Sequence, residues 1–266
     1  MIFNKLEKKM ELIKNKIVLI TGASSGFGEA CARIFAEQGA KLIITARRDD
    51  RLKILAEELK TKYKTDMLVL KLDVRNNKEV DEAISKLPDE WKKIDVLINN
   101  AGLSRGLDKL HEGKIQDWEE MIDTNVKGLL YVSRAVIPLM VKRNSGHIVN
   151  IGSIAGHEVY PGGNVYCATK HAVDAITKGM RIDLNGTDVR VTTIDPGLAE
   201  TEFSFVRFRG DNQRAENVYK NIEALSAEDI ADAALFAVTR RKNTVVAEMI
   251  MLPVCQATAM VVSRKS

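Results

Sequence analysis

Cysteine is scarce in this chain, and its scarcity argues against two classes of protein. The 266 residues include three cysteines, Cys31, Cys167 and Cys255, and no two of them have C-x-x-C spacing. An odd, widely spaced set of this kind argues against a disulfide framework or a structural zinc site. The four histidines show neither an H-x-x-x-H nor an H-E-x-x-H pattern, so we expect no protein-built metal centre.

Long apolar runs and an excess of one charge are also missing. No apolar run approaches the roughly 18 residues that a membrane-spanning helix needs, and residues 1–16 lack the apolar core of a signal peptide. The 40 basic and 36 acidic residues leave a net charge of +4, too small and too evenly mixed to indicate a nucleic-acid or membrane partner. We therefore expect a cytoplasmic protein with a charged N-terminal extension over residues 1–15.

Short apolar runs alternate with longer amphipathic ones through the rest of the chain. Apolar residues make up 45% of the sequence and charged residues 29%, as in a globular protein with a sizeable core. The alternation predicts an α/β fold: one doubly wound, Rossmann-type domain over 16–266, with a seven-stranded parallel sheet. The predicted strands are 17–20, 42–45, 67–72, 96–98, 147–151, 189–194 and 249–252.

The helices predicted between these strands have recognisable faces and ends. The clearest helices are predicted over 27–38, 118–140, 164–184 and 227–239. Another helix is predicted between the first two of these, with an apolar face formed by Leu52, Leu55, Ala56 and Leu59. Ser226 and Asp229 resemble a capping box that opens the helix predicted over 227–239. Residues 198–215 have no clear period, so we interpret about 198–224 as a substrate lid.

A glycine-rich loop joins the first strand to the first helix. Gly22 suits the sharp turn, Gly26 lets a phosphate approach the backbone, and Gly28 leaves room for the helix to pack on the sheet. With Ser24, Ser25 and Phe27 between them, these glycines predict a pyrophosphate site at the helix N-terminus. A glycine-rich turn without a ligand is the alternative.

The end of the second strand bears on which dinucleotide is bound. About 20 residues beyond the glycines, an NAD site places an acid, whereas an NADP site needs cations for the 2′-phosphate. This sequence has Arg47 and Arg48 there, and a guanidinium matches phosphate bidentately, so NADP is favoured. The alternative is a solvated charge cluster that opens the next helix, in which Asp49 and Asp50 weaken the positive field.

Two further strand ends belong to the same predicted edge. Asp73 and Val74 close the third strand where the adenine should lie, although Asp73 is equally plausible as a helix cap. Asn100, Ala101 and Gly102 end the fourth strand with small and amide side chains. They suit backbone packed against a cofactor, or a simple turn.

Tyr166 and Lys170 lie four residues apart, on one face of a predicted helix, and Ser153 follows the preceding strand. Oxidation of a carbinol needs a base near neutral pH, and free tyrosine, with a pKa near 10, is too weakly ionised. An ammonium at ~4 Å contributes about 4 kcal/mol at an effective dielectric of ~20, which favours the phenolate. Ser153 would hold the substrate oxygen while charge develops on it. Alternatively, Tyr166 and Lys170 are ordinary surface residues.

The motifs together resemble the short-chain dehydrogenase/reductase family over nearly the whole chain. They are Thr21-Gly-x-x-x-Gly-x-Gly28, Asn99-Asn-Ala-Gly102, Asn125 within Thr124-Asn-Val, Ser153, Tyr166-x-x-x-Lys170 and Pro196-Gly197. The resemblance implies that Asn125 is a fourth catalytic residue holding a water that links Lys170 to solvent, and that Tyr166 and Lys170 also contact cofactor. It also implies a loop at Pro196 and Gly197 beside the nicotinamide, and a homotetramer.

Residues 94–102 and 196–211 resemble, more narrowly, the NADP-dependent serine, L-allo-threonine and 3-hydroxy acid dehydrogenases of that family. The resemblance implies a small 3-hydroxy acid as substrate, whose carboxylate could pair with Arg207 or Arg209 in the lid. A broad NADPH carbonyl reductase acting on uncharged ketones is one alternative. A non-catalytic NADP-binding protein that senses redox state is another, of a different class.

Overall fold

Seven parallel strands form the centre of the protein, as the sequence predicts. The computed structural model describes residues 13–265. The sheet has the order β3-β2-β1-β4-β5-β6-β7, and every neighbouring pair is parallel. The strands are β1 (Ile17–Thr21), β2 (Lys41–Ala46), β3 (Met67–Lys71), β4 (Ile94–Asn99), β5 (Gly146–Ile151), β6 (Val189–Pro196) and β7 (Glu248–Met251).

Helices cover both faces of the sheet. They are α1 (Gly26–Glu37), α2 (Asp49–Tyr63), α3 (Asn77–Ser85), α4 (Ile115–Ile122), α5 (Leu129–Lys142), α6 (Asn164–Asp183), α7 (Phe203–Arg207), α8 (Asn212–Tyr219) and α9 (Ala227–Val238). One apolar cluster joins the sheet to α1, α2 and α9, and a second joins it to α3, α5 and α6. Because both faces are covered, every residue of β1 is buried. The doubly wound fold class is therefore confirmed.

Three elements differ from the prediction. The sequence gives no signal for α3, because only Val80 and Ile84 of its nine residues are buried. The helix predicted over 118–140 begins earlier, and a π-helical turn (Asp123–Gly128) separates α4 from α5. The segment 198–215, which shows no period, contains the short helix α7 and the start of α8. Each of these helices buries a single residue, too few to give an apolar period.

The chain order of the strands reverses between β1 and β4, which opens a crevice at the carboxyl edge of the sheet. Most of the predicted N-terminal extension, residues 1–12, lies outside the described residues. Ile13, near its end, is 3% exposed and packs in the core beside α1. No helix between residues 13 and 265 is long and apolar enough to cross a membrane.

Candidate active site

A cavity of about 1010 Å³ opens at this carboxyl edge. It gathers most of the predicted site residues, although they come from eight separate parts of the sequence. Gly28 and Asn125 are the predicted residues outside its lining. Those that line it are Gly22, Ser24, Ser25, Gly26, Phe27, Arg47, Arg48, Asp73, Val74, Asn100, Ala101, Gly102, Ser153, Tyr166, Lys170, Pro196, Gly197, Arg207 and Arg209.

The glycine loop has the backbone that its sequence predicts. Gly22 and Gly26 have φ angles of +67° and +55°, a region that side chains rarely adopt. A Cβ on Gly28 would lie 2.5 Å from the Gly22 carbonyl oxygen and 2.4 Å from Asn100 Nδ2, so only glycine lets α1 pack this closely. Ser25 precedes α1 without a side-chain cap, which leaves the first-turn N–H groups for an anion.

Arg48 reaches back from the end of β2 to the glycine loop. Its guanidinium donates to Ser24 Oγ (3.1 Å), Ser25 Oγ (2.6 Å) and a Glu202 carboxylate oxygen (2.9 Å). Arg47 extends beside it on the cavity wall and is half exposed. Asp49 pairs instead with Lys53 at 2.6 Å, so the carboxylate partner of Arg48 is Glu202 and not Asp49. The two neighbouring guanidinium groups of Arg47 and Arg48, beside the glycine loop, fit the 2′-phosphate of NADP.

Asp73 lines the cavity and does not cap a helix, so the capping alternative is wrong. Asn76 caps α3, and its side chain accepts from two backbone N–H groups. Asp73 instead accepts three side-chain hydrogen bonds and one backbone bond from Arg75. Burial acts to raise the pKa of Asp73, but these bonds outweigh it and the pKa is lowered.

Asn100 and Ala101 hold the end of β4 against the glycine loop. Asn100 Nδ2 donates to the carbonyl oxygens of Thr21 (2.9 Å) and Gly22 (3.1 Å). The backbone N–H groups of Asn100 and Ala101 both donate to Thr21 Oγ1 at 3.0 Å. This segment therefore joins the end of β4 to the end of β1 through hydrogen bonds and is not a simple turn.

Ser153, Tyr166 and Lys170 meet on the opposite wall. Ser153 follows β5, and its Oγ accepts from the Ala155 N–H at 3.1 Å. Tyr166 and Lys170 lie one turn apart on α6 and are 8% and 7% exposed. Lys170 Nζ donates to the Ile151 carbonyl at 2.8 Å and lies 5.9 Å from the centre of the Tyr166 ring. The side chains that the sequence selects as catalytic are thus inside the protein and not on a surface helix.

Burial dominates the electrostatics of this group. It raises the pKa of Tyr166, while the nearby Arg207 charge and a hydrogen bond with Ser153 act in the lowering direction. It also lowers the pKa of Lys170 to about 8, against the opposing charge of Asp195. Desolvation of the buried phenol is the largest effect on the pKa of Tyr166, and the expected lowering of that pKa by Lys170 stays a prediction.

Asn125 lies in the π-helical turn between α4 and α5 and is 2% exposed. Its Oδ1 accepts from the Leu103 N–H at 2.8 Å, and its Nδ2 donates to the Leu103 carbonyl (2.8 Å) and to Thr169 Oγ1 (3.0 Å). The amide is thus fully satisfied by protein partners. A π-helical turn is a frequent feature of functional sites, and the role of Asn125 in a proton path stays a prediction.

Asp195 accepts a hydrogen bond from the Ser153 backbone, and this contact was not predicted from the sequence. It is 1% exposed, and its Oδ1 accepts from the Ser153 N–H at 3.1 Å and from Thr193 Oγ1 at 3.0 Å. The one signal in the sequence is its place immediately before Pro196 and Gly197. Asp195 is a positioning residue, since it holds the backbone that presents the Ser153 hydroxyl.

The segment 198–224, which the sequence suggests is a lid, places Arg207 beside Tyr166. The Arg207 guanidinium carbon lies 5.0, 5.3 and 6.0 Å from the ring centres of Phe203, Tyr166 and Tyr160. One of its nitrogens donates to the Tyr160 hydroxyl at 3.0 Å. Sequence reasoning missed Tyr160 and Phe203, because no spacing connects them to the catalytic motif.

The two lid arginines differ in their partners. Arg209 forms an ion pair with the buried Asp117. Arg207 Nε is buried without a hydrogen-bond partner, and no carboxylate of residues 13–265 pairs with this side chain. Of the two predicted substrate contacts, only Arg207 has an uncompensated charge.

Comparison with known proteins agrees with this geometry. The family model described as short chain dehydrogenase matches residues 16–212. A relative from Salmonella typhi, "NADP-dependent 3-hydroxy acid dehydrogenase YdfG", is 50% identical over 244 residues, covering 91% of this chain and 97% of the relative. "NADP-dependent 3-hydroxy acid dehydrogenase" of Schizosaccharomyces pombe is 49% identical over 257 residues, covering 96% and 99%.

A solved structure described as the closed form of serine dehydrogenase complexed with NADP+ is also similar. It superposes with a TM-score of 0.88 and 48% sequence identity, covering 94% of this chain and 100% of that one. This chain belongs to the short-chain dehydrogenase/reductase family.

Proposed function

We propose that this protein is an oxidoreductase in which bound NADP accepts or donates a hydride at nicotinamide C4, with a small 3-hydroxy acid as the second reactant. The observation that carries the proposal is the shared cavity. The glycine loop and Arg48 lie along one wall, Tyr166 and Ser153 lie along the other, and the unpaired Arg207 projects from the lid. The names of the relatives support both the cofactor and the substrate class.

Tyr166 moves the proton. In the reductive direction its phenol donates the Oη proton to the new alkoxide, and the raised pKa keeps that proton in place at neutral pH. In the oxidative direction Tyr166 must first lose this proton, and the positive charges of Arg207 and Lys170 stabilise the phenolate. Ser153 Oγ holds the reacting oxygen as its charge changes.

Arg207 supplies the selectivity for an acid. Arg207 is half-buried, its Nε is buried without a hydrogen-bond partner, and a substrate carboxylate of matching planar shape would supply that partner and pair the charge. The aromatic rings of Tyr160, Tyr166 and Phe203 fix the guanidinium next to the phenol. This placement holds the carboxylate end of a short substrate close to the group that exchanges the proton.

A substrate panel tests the proposal. Reduced nicotinamide absorbance is followed with NADP and with NAD on L-serine, L-allo-threonine, 3-hydroxypropionate and uncharged alcohols of the same size. We expect the acids with NADP to give much the highest kcat/KM. Better turnover of uncharged ketones or alcohols would identify a broad carbonyl reductase, and no turnover of any compound would favour a non-catalytic NADP-binding protein.

The lid arginines provide the sharper test. Arg207→Ala should raise KM for the 3-hydroxy acid by about 10- to 100-fold, the range expected for a charge-assisted hydrogen bond, with little effect on KM for an uncharged alcohol. Arg209→Ala is the matched control on the same segment, because Arg209 already pairs with Asp117. An unchanged KM in Arg207→Ala would remove this residue from the substrate site.

Assembly and location complete the proposal. We propose a homotetramer, which four exposed apolar side chains on α4 and α5 support, since such surfaces often mark interfaces. They are Ile115, Ile122, Leu130 and Val141. All three cysteines are free thiols, as suits the reducing cytoplasm. Light scattering coupled to size exclusion gives the assembly mass, and cell fractionation gives the location.

A further inference from the structure

Three metal-ligating side chains meet behind the catalytic serine loop, outside the cavity lining. His157 follows the 3₁₀ turn (Ile154–Gly156), Asp195 lies near the end of β6, and Glu248 is the first residue of β7. His157 Nε2 lies 3.4 Å from Asp195 Oδ2 and 3.3 Å from Glu248 Oε1. All three donor atoms lie within 4.8 Å of one another.

Two of these donors have unmet bonding capacity. Asp195 is 1% exposed, and its Oδ1 is fully used by Ser153 and Thr193. Its Oδ2 and His157 Nε2 are both buried, and apart from the His157–Asp195 and His157–Glu248 contacts neither has a polar partner among residues 13–265. Buried polar atoms of this kind normally have partners. Both atoms face the same small space, which Glu248 borders.

The spacing and chemistry of the donors fit one cation. An ion bound at about 2.1 Å from each donor places neighbouring donors about 3.0–3.4 Å apart, depending on geometry. The His157–Asp195 and His157–Glu248 separations fall in this range, and the Asp195 and Glu248 oxygens lie within 4.8 Å of each other. One imidazole and two carboxylates favour a transition ion such as Zn²⁺ over Mg²⁺ or Ca²⁺. Glu248 is 32% exposed, so water has access to complete the coordination. We propose that His157, Asp195 and Glu248 bind one divalent transition-metal ion.

Such an ion would act on the Ser153 loop through Asp195. One carboxylate oxygen would bind the metal while the other accepts the Ser153 N–H, so occupancy would fix the loop that presents the serine hydroxyl. The site therefore stabilises the loop and takes no part in the hydride chemistry. The expectation of no metal centre rested on histidine and cysteine spacing, whereas these three ligands come from distant parts of the chain.

Calorimetric titration of the full chain, stripped with EDTA and dialysed, tests the site with ZnCl₂ as the probe and MgCl₂ for comparison. We expect one Zn²⁺ per chain in the wild type and binding weakened by at least about tenfold in His157→Ala and in Glu248→Gln. His111→Ala is the matched control, because His111 has one exposed carboxylate neighbour, Glu112, at 3.4 Å. It should bind Zn²⁺ as the wild type does.

Two readouts keep the result independent of activity and of folding. Thermal melting in EDTA shows whether each variant is folded, and added Zn²⁺ should raise the melting temperature of the wild type and of His111→Ala only. Co²⁺ should give a visible absorption spectrum that His157→Ala loses. Absence of Zn²⁺ binding by the wild type, or equal affinity in folded His157→Ala and Glu248→Gln, would overturn the proposal.

Discussion

We propose that Arg48 selects NADP over NAD. Its three donors are directed at the glycine loop and at Glu202, beside the expected 2′-phosphate. Arg48→Ala should raise KM for NADP by about 10- to 100-fold, since charged hydrogen bonds contribute about 1.5–3 kcal/mol. KM for NAD should change little. Steady-state kinetics with both cofactors measures this.

Arg51→Ala is the control for that prediction. Arg51 also pairs with Glu202, at 2.6 Å, but it does not line the cavity. An equal loss with NADP and NAD in Arg48→Ala, or an equal effect of Arg51→Ala, would contradict the assignment of Arg48 to the 2′-phosphate.

At the residue scale, local motifs predict one part of the site and long-range contacts create another. The glycines, Tyr166 and Lys170 are recognisable because each motif fits within one turn or one helix. The stacking of Arg207 on Tyr160 and the support of Ser153 by Asp195 are not, because each pair is separated by more than 40 residues. The burial that raises the pKa of Tyr166 was also missed, since burial of a side chain is not visible in a motif.

At the element scale, the close contact between α1 and the sheet depends on the absence of a Cβ atom at Gly28. Gly28→Ala would place its Cβ 2.4 Å from Asn100 Nδ2 and 2.5 Å from a backbone oxygen that cannot move easily. We expect a loss of about 1–3 kcal/mol in the free energy of unfolding, as for overpacking, together with weaker NADP binding. Urea unfolding and cofactor titration measure the two effects.

Gly179→Ala is the matched control for that change. Gly179 lies inside α6, and a Cβ there meets nothing within 4 Å. Because alanine is the better helix former, this variant should be more stable by about 0.5–1 kcal/mol. Equal effects of the two substitutions would show that the close contact at Gly28 is unimportant.

The elements that could be predicted are those whose burial has a simple period. The seven strands contain short, mainly apolar runs, and the Ser226–Asp229 capping box at the start of α9 is confirmed. The short helices α7 and α8 could not be predicted, because each buries a single residue and so shows no apolar face. Phe203 at the start of α7 packs against Tyr166, with ring centres 5.6 Å apart, and this contact depends on tertiary packing.

At the scale of the whole molecule, buried His147 makes stability depend on pH. Burial is the larger cause and the Arg190 charge the smaller one in lowering the pKa of His147 from 6.5 to about 3. Below its ordinary pKa the unfolded chain binds a proton that the folded chain refuses, so stability is lost as the pH falls from 6.5 towards 3. From about pH 7.5 to about pH 5 this single group removes about 2 kcal/mol.

His147→Gln isolates that contribution, because glutamine does not titrate. In the wild type His147 Nε2 lies 2.8 Å from Thr192 Oγ1, and the glutamine amide keeps a polar partner for this hydroxyl. Urea unfolding at both pH values should show a loss of stability about 2 kcal/mol smaller in the variant. Parallel pH profiles for the wild type and the variant would contradict the burial argument.

The account as a whole requires that the buried Tyr166 phenol exchanges the proton of the reacting alcohol or carbonyl. The most direct measurement is kcat of Tyr166→Phe, compared with the wild type at the same NADP saturation and with cofactor affinity measured by calorimetry. The account predicts a fall in kcat of about 10²- to 10⁴-fold, as for loss of a general acid–base, with NADP affinity nearly unchanged. A folded, NADP-binding Tyr166→Phe protein that keeps the wild-type kcat would contradict it.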